Sequence, residues 1–359
     1  MKLLYLADSK VPSQRASSIH VDLLMHAFKC LVDDSVLLCQ KGEGSYDRPF
    51  AVERVSIPNL KGGLLWLMRA FKKQIKSIRP DFIYSRFLLL PLFSGKTPYI
   101  LEVHDDAWNK GFLFRKAFHK ALNSKYCKGF VTITRAIEVD MRKAFPESNK
   151  KILVIEDAAL PAHTDYQANR EQKEKLTLGY VGSLHKGKGM EIIMPLAEKL
   201  PDCHFKIIGG LAPQIEELKA VQKSNNVEFL GFVDHHEVWK HMQEIDICLL
   251  PNSPKVKTGK NSDIGKYTSP LKMFEYMAYA KPIIASDLEV LKEVLNDEVA
   301  VLARHDQIHE WVDAVQQLKD PTVRRQLGQN ALKKFKDNFT WEKRAERILS
   351  FVNEELERV

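Results

Sequence analysis

Short β-branched and apolar runs alternate along the whole chain with segments whose apolar residues recur at helical spacing. In the first half the strand candidates are Lys2–Ala7, Ser35–Leu38, Arg54–Ile57, Phe82–Tyr84, Tyr99–Val103, Phe130–Thr132 and Ile152–Ile155. In the second half they are Leu176–Val181, His204–Ile208, Val227–Leu230, Ile247–Leu250, Pro282–Ser286 and Val299–Leu302. Helical patterns separate most of them, and beyond about Leu302 the pattern is helical to the end. Strands alternating with helices predict α/β architecture, with doubly wound parallel sheets covered on both faces. The segment Pro161–Lys175 is polar and lacks apolar periodicity, which marks it as a linker. Two Rossmann-like domains are therefore expected, residues 1–165 and 166–340. The last helix, within 341–359, is long enough to cross back onto the first. Open α/β sheets bind ligands at the carboxyl ends of their strands, so a cleft between the two domains is the expected site.

Composition narrows the class. A chain of 359 residues can form two or three domains with cores of their own. Its 45% hydrophobic and 28% charged residues are ordinary for a globular protein. The five cysteines form no C-x-x-C pair, which argues against a zinc site or disulfide framework and fits a reducing compartment. The opening M-K-L-L-Y-L-A-D reaches Asp8 at once and reads as a first strand, not a signal peptide. No apolar run approaches the roughly 18 residues needed to span a bilayer. The expected location is cytoplasmic, at the inner face of a membrane. Charge is uneven: residues 1–165 hold 26 Lys and Arg against 17 Asp and Glu, whereas 166–359 hold 28 against 29. A basic half can face nucleic acid, anionic lipid or a phosphorylated substrate. No zinc-finger or aromatic RNA-reading pattern accompanies it, so nucleic acid is not the expected partner. Leu65–Arg79 carries five basic residues, no acid and several large apolar ones. It suits a helix lying in an anionic membrane surface, or a core-packed helix with a solvated basic face.

Several stretches carry candidate chemistry. Thr268–Asp287 starts with Ser269 as N-cap and Pro270 at the first helical position. A helix start offers N–H groups and a positive dipole end to an anion. Lys272 opposes that dipole, which points to an anion nearby, and Glu275 lies in an apolar run where ribose hydroxyls would explain it. The alternative is an amphipathic helix with two solvated charges. Gly182–Glu191 (G-S-L-H-K-G-K-G-M-E) follows a strand and precedes a helix, as a phosphate-contacting turn does, with Lys186 or Lys188 supplying charge. It matches neither Walker A nor G-x-G-x-x-G, which disfavours a nucleotidase or a dinucleotide oxidoreductase. The backbone around Phe232 and Val233 could edge a nucleobase. After the first strand, Arg15, Ser17 and Ser18 could face a donor phosphate or an acceptor, or simply open a helix. His104, within L-E-V-H-D-D, is a candidate contact to a reacting sugar. No Asp-x-Asp pair occurs, so no metal is expected, and charge on a leaving phosphate would fall to Lys, Arg and helix ends.

Together these stretches resemble retaining glycosyltransferases of the GT-B type, close to family 4 (glycosyl transferase group 1). Gly182-Ser183-Leu184 with Lys188-Gly189 is similar to G-R-L-x-x-x-K-G, and Ser269–Ser286 to S-P-L-K-x-F-E-Y-M-A-x-G-K-P-I-V-A-S. Asp157–Leu160 resembles the D-G-V-D hinge, Phe339–Glu342 the F-[ST]-W-E start of the last helix, and Arg15–Val21 the R-A-x-S-I-H-V acceptor-side loop. The resemblance implies two Rossmann-like domains facing a central cleft. It also implies retaining, metal-independent transfer from a nucleotide-diphosphate sugar, a UDP-sugar favoured, without a cofactor. The acceptor would be a glycan or lipid-linked molecule, in cell-envelope polysaccharide or glycoconjugate assembly. His104, Lys188 and Glu275 would carry the catalysis. Gly182, Ser183, Lys188, Phe232, Val233, Thr268, Ser269, Leu271, Lys272 and Glu275 would bind the donor, with Arg15, Ser17 and Ser18 on the acceptor side. The alternative is a GT-B protein that binds nucleotide-sugar with little or no turnover. Three positions depart from the family pattern: Tyr267 replaces the first Glu of E-x7-E, Ser183 replaces Arg, and Ala280 replaces Gly before Lys-Pro.

Overall fold

The computed structural model describes residues 1–43, 46–56, 62–166, 175–258, 262–263 and 265–357. The chain packs as two compact units, Met1–Glu156 with Trp341–Val359, and Asp157–Thr340. The first holds strands β1 (Leu3–Val11), β2 (Ser35–Lys41), β3 (Ala51–Val55), β4 (Phe82–Ser85), β5 (Tyr99–Val103), β6 (Cys127–Thr132) and β7 (Ile152–Val154). They form one sheet in the order β3-β2-β1-β4-β5-β6-β7, parallel throughout. Its helices are α1 (Ala16–Leu31), α2 (Gly63–Ile78), α3 (Phe112–Leu122) and α4 (Arg135–Ala144). The middle strands lie between helices on both faces, so Leu3 to Ala7 are continuously apolar and fully buried.

The second unit repeats the plan. Strands β8 (Thr177–Val181), β9 (His204–Ile208), β10 (Val227–Gly231) and β11 (Ile247–Leu250) are followed by a two-residue-per-strand hairpin, β12 (Lys257–Thr258) and β13 (Ser262–Asp263). Then come β14 (Ile283–Ser286) and β15 (Ala300–Ala303). The six-stranded sheet runs β10-β9-β8-β11-β14-β15, again all parallel. Around it lie α5 (Met190–Lys199), α6 (Ala212–Val221), α7 (Val238–Met242), α8 (Leu271–Ala278), α9 (Glu289–Lys292), α10 (Ile308–Gln317) and α11 (Pro321–Asn338). The chain ends in α12 (Trp341–Glu357), which belongs to the first unit and packs on α1. Its buried residues Trp341, Arg344, Ala345, Ile348, Leu349 and Val352 form one helical stripe.

Most expected strands are present, with ends shifted. β1 runs on to Val11, and β3 begins at Ala51 rather than Arg54. Ile57, and residues 167–174 of the expected linker, lie outside the described residues. The units divide at Glu156/Asp157 rather than 165/166. The Ala159 N–H donates to the Phe339 carbonyl (3.1 Å), which binds this stretch to the second unit. The start of α8 also differs from expectation. Pro270 is the N-cap, and Ser269 makes no cap; its hydroxyl instead accepts the Asp157 N–H at 3.1 Å. Lys272 is accordingly the second helical residue, not the third. α8 closes in a Schellman turn, with Lys281 N–H on the Tyr276 carbonyl (3.0 Å) and Ala280 N–H on Met277 (3.0 Å). That turn places Ala280 at φ +53°, in the left-handed region that favours glycine.

In each sheet the strand order reverses once, between β1 and β4 and between β8 and β11. Those switch points direct attention to the loops after these four strands.

Candidate active site

The loop after β8 is built around glycines. Gly182, Gly187 and Gly189 have φ of +144°, +83° and +122°. A Cβ on Gly189 would lie 2.2 Å from Pro251 Cγ, and one on Gly187 would lie 2.3 Å from the Lys255 carbonyl oxygen. The turn is therefore pressed against the loop after β11. Gly209 and Gly210, after β9, close the other side. A Cβ on Gly209 would lie 2.2 Å from the Gly182 carbonyl oxygen. This I-I-G-G pair was not among the expected site residues, although two glycines at the carboxyl end of a strand are a legible signal.

Two lysines meet at this platform. Lys272 Nζ is shut off from solvent and has no hydrogen-bond partner among the described residues. It lies 3.7 Å from the centre of the Tyr180 ring, a cation–π contact. Burial first, then the neighbouring Lys188 cation, pull its pKa well below the ordinary lysine value. Burial also lowers that of Lys188. Tyr180 is itself locked, its hydroxyl donating to the Ser183 carbonyl at 2.7 Å. The Ser183 side chain is exposed, and Leu184 is buried. Asn252, at the switch point after β11, is fully buried, with both side-chain polar atoms unpartnered among the described residues. Two desolvated cations and an unmatched amide form a place where an anion would restore lost interactions.

Glu275 lies one turn beyond Lys272 on α8. Its carboxylate accepts from His235 Nε2 at 2.8 Å, and that hydrogen bond raises the His235 pKa. His235 was missed in the sequence because it sits 40 positions from Glu275, beyond the turn at Phe232 and Val233. Phe232 is exposed, while Val233 packs against the core. Thr268 is buried, Ser269 and Leu271 are half-buried, and Tyr267 occupies a buried position at the 3₁₀ turn Gly265–Tyr267.

In the first unit, Arg15 is exposed and makes no side-chain cap for α1. The Ser17 carbonyl accepts from Arg86 at 3.3 Å, and the buried Ser18 hydroxyl accepts the Ser13 N–H at 2.9 Å, bracing the loop after β1. His104, just past β5, donates or accepts through Nε2 at 2.8 Å from Glu102 Oε1. The same oxygen accepts from Arg344 Nη2 at 2.8 Å and lies 2.9 Å from His20 Nε2. Burial, then Arg86, lower the His104 pKa to about 4. The donor atoms of His20, Glu102 and His104 lie within 4.8 Å of one another, a spacing that suits a metal ion. Arg344 already holds the shared carboxylate oxygen, so an added cation would face a fixed buried cation; the set fits an internal ion-pair network better.

Comparison with known proteins agrees with this architecture. Residues 175–320 match the family model described as glycosyl transferases group 1. The chain resembles the GT-B glycosyltransferases. It is 26% identical over 301 residues to an uncharacterized glycosyltransferase of Methanocaldococcus jannaschii, covering 78% of this chain and 68% of that protein. It is 25% identical over 166 residues to a putative teichuronic acid biosynthesis glycosyltransferase of Bacillus subtilis, covering 46% of this chain and 38% of the relative. The matched stretch thus spans little over a third of that relative's length. Among solved structures, Anabaena HepE in complex with UDP and glucose superposes with a TM-score of 0.71 at 18% identity, covering 98% of this chain and 99% of that one. A glycosyltransferase from Rickettsia africae gives 0.76 at 13%, covering the whole of both chains. Likeness at these identities speaks for the fold: two Rossmann-like units and a last helix returned to the first.

Proposed function

We propose that this chain is a retaining, metal-independent glycosyltransferase that takes a sugar from a nucleotide-diphosphate sugar, a UDP-sugar favoured. The acceptor is a glycan or lipid-linked molecule in cell-envelope polysaccharide assembly. The observation that carries this reading is Lys272: a sealed amino group with no hydrogen-bond partner among the described residues, beside a second desolvated lysine and a glycine-lined turn. Burying a cation without a counter-charge is costly unless a ligand supplies one. A diphosphate bound there would pair with Lys188 and Lys272 at the start of α8. Lys272 thereby takes over from the arginine that Ser183 replaces. As the bond from sugar to diphosphate breaks, charge grows on the departing oxygens, and fixed cations stabilise that change. Glu275, oriented by His235, would hold ribose hydroxyls, and Phe232 with Val233 would edge the base. His104 would contact the transferred sugar. The names of several relatives support the envelope context, teichuronic acid biosynthesis among them.

The acceptor-side reading rests on α2. Leu67, Phe71 and Ile75 anchor it in the core, whereas Leu64, Leu65 and Trp66 are 40%, 57% and 40% exposed. Arg69, Lys72, Lys73 and Lys76 are also exposed on it. Exposed apolar residues beside cations suit an anionic membrane surface. Among the described residues no helix is long and apolar enough to cross a membrane. The expected outcome is co-sedimentation with anionic liposomes that is lost on charge reversal at Lys72, Lys73 and Lys76.

One observation favours a second reading, nucleotide-sugar binding without turnover: Tyr267 stands where the family pattern has its first Glu. A thermal-shift panel of UDP-, GDP- and ADP-sugars against NAD(P), followed by donor turnover with acceptor extracts, separates the two. Stabilisation by a nucleotide-sugar with turnover supports transfer; stabilisation without turnover supports the second reading. Stabilisation by NAD(P) alone refutes both.

A further inference from the structure

The first unit contains a buried assembly behind His104, apart from the lysines and glycines of the second unit. Glu102 is fully buried on β5, and three cationic or potentially cationic groups from three other places converge on its Oε1. His20 comes from α1, His104 from the loop after β5, and Arg344 from α12. Arg344 is 1% exposed, and its other terminal nitrogen donates to the Ile155 carbonyl at 2.6 Å and to the Glu156 carbonyl. It therefore ties Glu102 to the last residues before the chain leaves this unit. The rings interlock as well: His20 meets His104 edge-on at 5.1 Å and Trp341 edge-on at 5.0 Å.

This arrangement has a consequence for His104. Beside Arg344 and two histidines, Glu102 is held well below the ordinary carboxylate range, against the opposing effect of its own burial. An ionised carboxylate only accepts hydrogen bonds, so the nitrogen facing it must carry the proton. With His104 neutral, that leaves Nδ1 as the ring's acceptor. Among the described residues Nδ1 makes no hydrogen bond, and the side chain is 23% exposed. We propose that Glu102 and Arg344 are positioning residues, which fix His104 as the Nε2–H tautomer and present Nδ1 to accept a hydrogen bond from a sugar hydroxyl. The closing helix α12 is thus part of the sugar site although it touches no substrate. The hydroxyl partner rests on the function proposed above; the tautomer does not.

The charged and titratable groups that set the protonation of His104 are Glu102 on β5, His20 on α1, Arg86 after β4 and Arg344 on α12. Removing Arg344 takes one cation away from Glu102 and leaves the carboxylate to the histidines, so His104 should hold its proton to higher pH. The test is nitrogen-15 NMR of the histidine rings, with His104→Gln for assignment, on wild type, Arg344→Met and Arg344→Lys. The expected wild-type result is an Nε2–H ring at His104 that stays neutral at pH 6. In Arg344→Met its titration should move up by about one pH unit or more, a tenfold change in proton affinity, and Arg344→Lys should restore most of the shift. Where transfer activity is measured, kcat of Arg344→Met should gain an acid limb that wild type lacks, with KM for the donor little changed. An Nδ1–H ring in wild type, or an unmoved His104 titration in folded Arg344→Met (or in Arg344→Gln, should the methionine variant not fold), overturns the proposal. Because the ring spectrum needs no substrate, a correct tautomer in a protein without transferase activity would indict the functional reading and leave this one standing.

Discussion

A buried group of basic side chains sits in each unit, and the two are treated in opposite ways. In the first unit Arg344, His20 and His104 surround a buried carboxylate, Glu102, and Arg344 also satisfies two backbone carbonyls. In the second, Lys272 makes no hydrogen bond among the described residues; it has the Tyr180 ring face and the coulombic attraction of Glu275, with Lys188 repelling it. The first group is neutralised within the protein and behaves as framework. The second is left unmatched, and it is the one at a glycine-lined turn beside a switch point. Buried charge that is paired marks structure, and buried charge that is not marks a place prepared for a ligand.

Removing one charge from each group is the sharpest way to break that contrast. Glu102→Gln leaves Arg344 buried without its counter-charge and should destabilise the first unit by about 3–5 kcal/mol; denaturant unfolding followed by a probe in that unit checks it. Lys272→Met should behave in the opposite sense. Ligand-free stability should hold or rise, because a desolvated cation is gone, while affinity for UDP or a UDP-sugar falls by about 10–100-fold, the worth of a charged hydrogen bond of about 1.5–3 kcal/mol. Calorimetric titration with UDP reads this directly. Equal destabilisation by both substitutions would erase the distinction between framework and binding charge.

The same lysine sharpens the contrast through pH. Its folded pKa is depressed, while an unfolded lysine titrates near about 10.4. Between those values the unfolded state binds more protons, so this residue's contribution to stability becomes more favourable as pH rises through the window. An anion would restore the proton. UDP binding should therefore take up protons and weaken as pH increases, measured by titration in buffers of different ionisation enthalpy. Lys272→Met should abolish most of that uptake.

The smallest effect tests whether the second unit stores strain near its site. Ala280 holds φ +53° in the turn that closes α8, where a left-handed conformation costs an L-residue about 1–2 kcal/mol. Ala280→Gly should stabilise the second unit by up to about 1 kcal/mol, less than the conformational penalty because glycine gains entropy when unfolded. Unchanged or lower thermal stability would show that the turn is not strained.

The donor side was more legible than the acceptor side, for a physical reason. Gly182 to Lys188 are contiguous and follow a strand, and Lys272 with Glu275 lie on one short helix, so local spacing already places their chemistry. His235 escaped because its partner is 40 residues away, and Arg344 because Glu102 is 242 residues away. Ser269 looked like an N-cap from its neighbours alone, yet its hydroxyl serves Asp157 instead, a contact no local pattern encodes.

Apolar periodicity and glycine placement determined by themselves that this chain forms two parallel-sheet units with a glycine-rich turn after the first strand of the second. These are properties of residues near one another along the chain, where a period of two or of 3.6 residues specifies which side chains are buried. Tertiary structure alone decided which charges are paired. Coulombic and hydrogen-bond partners are chosen by position in space, and burial multiplies the consequence of having one or lacking one. That is why Glu102 and Lys272, each a charged residue at the edge of an apolar run when read along the chain, have opposite fates once the chain is folded.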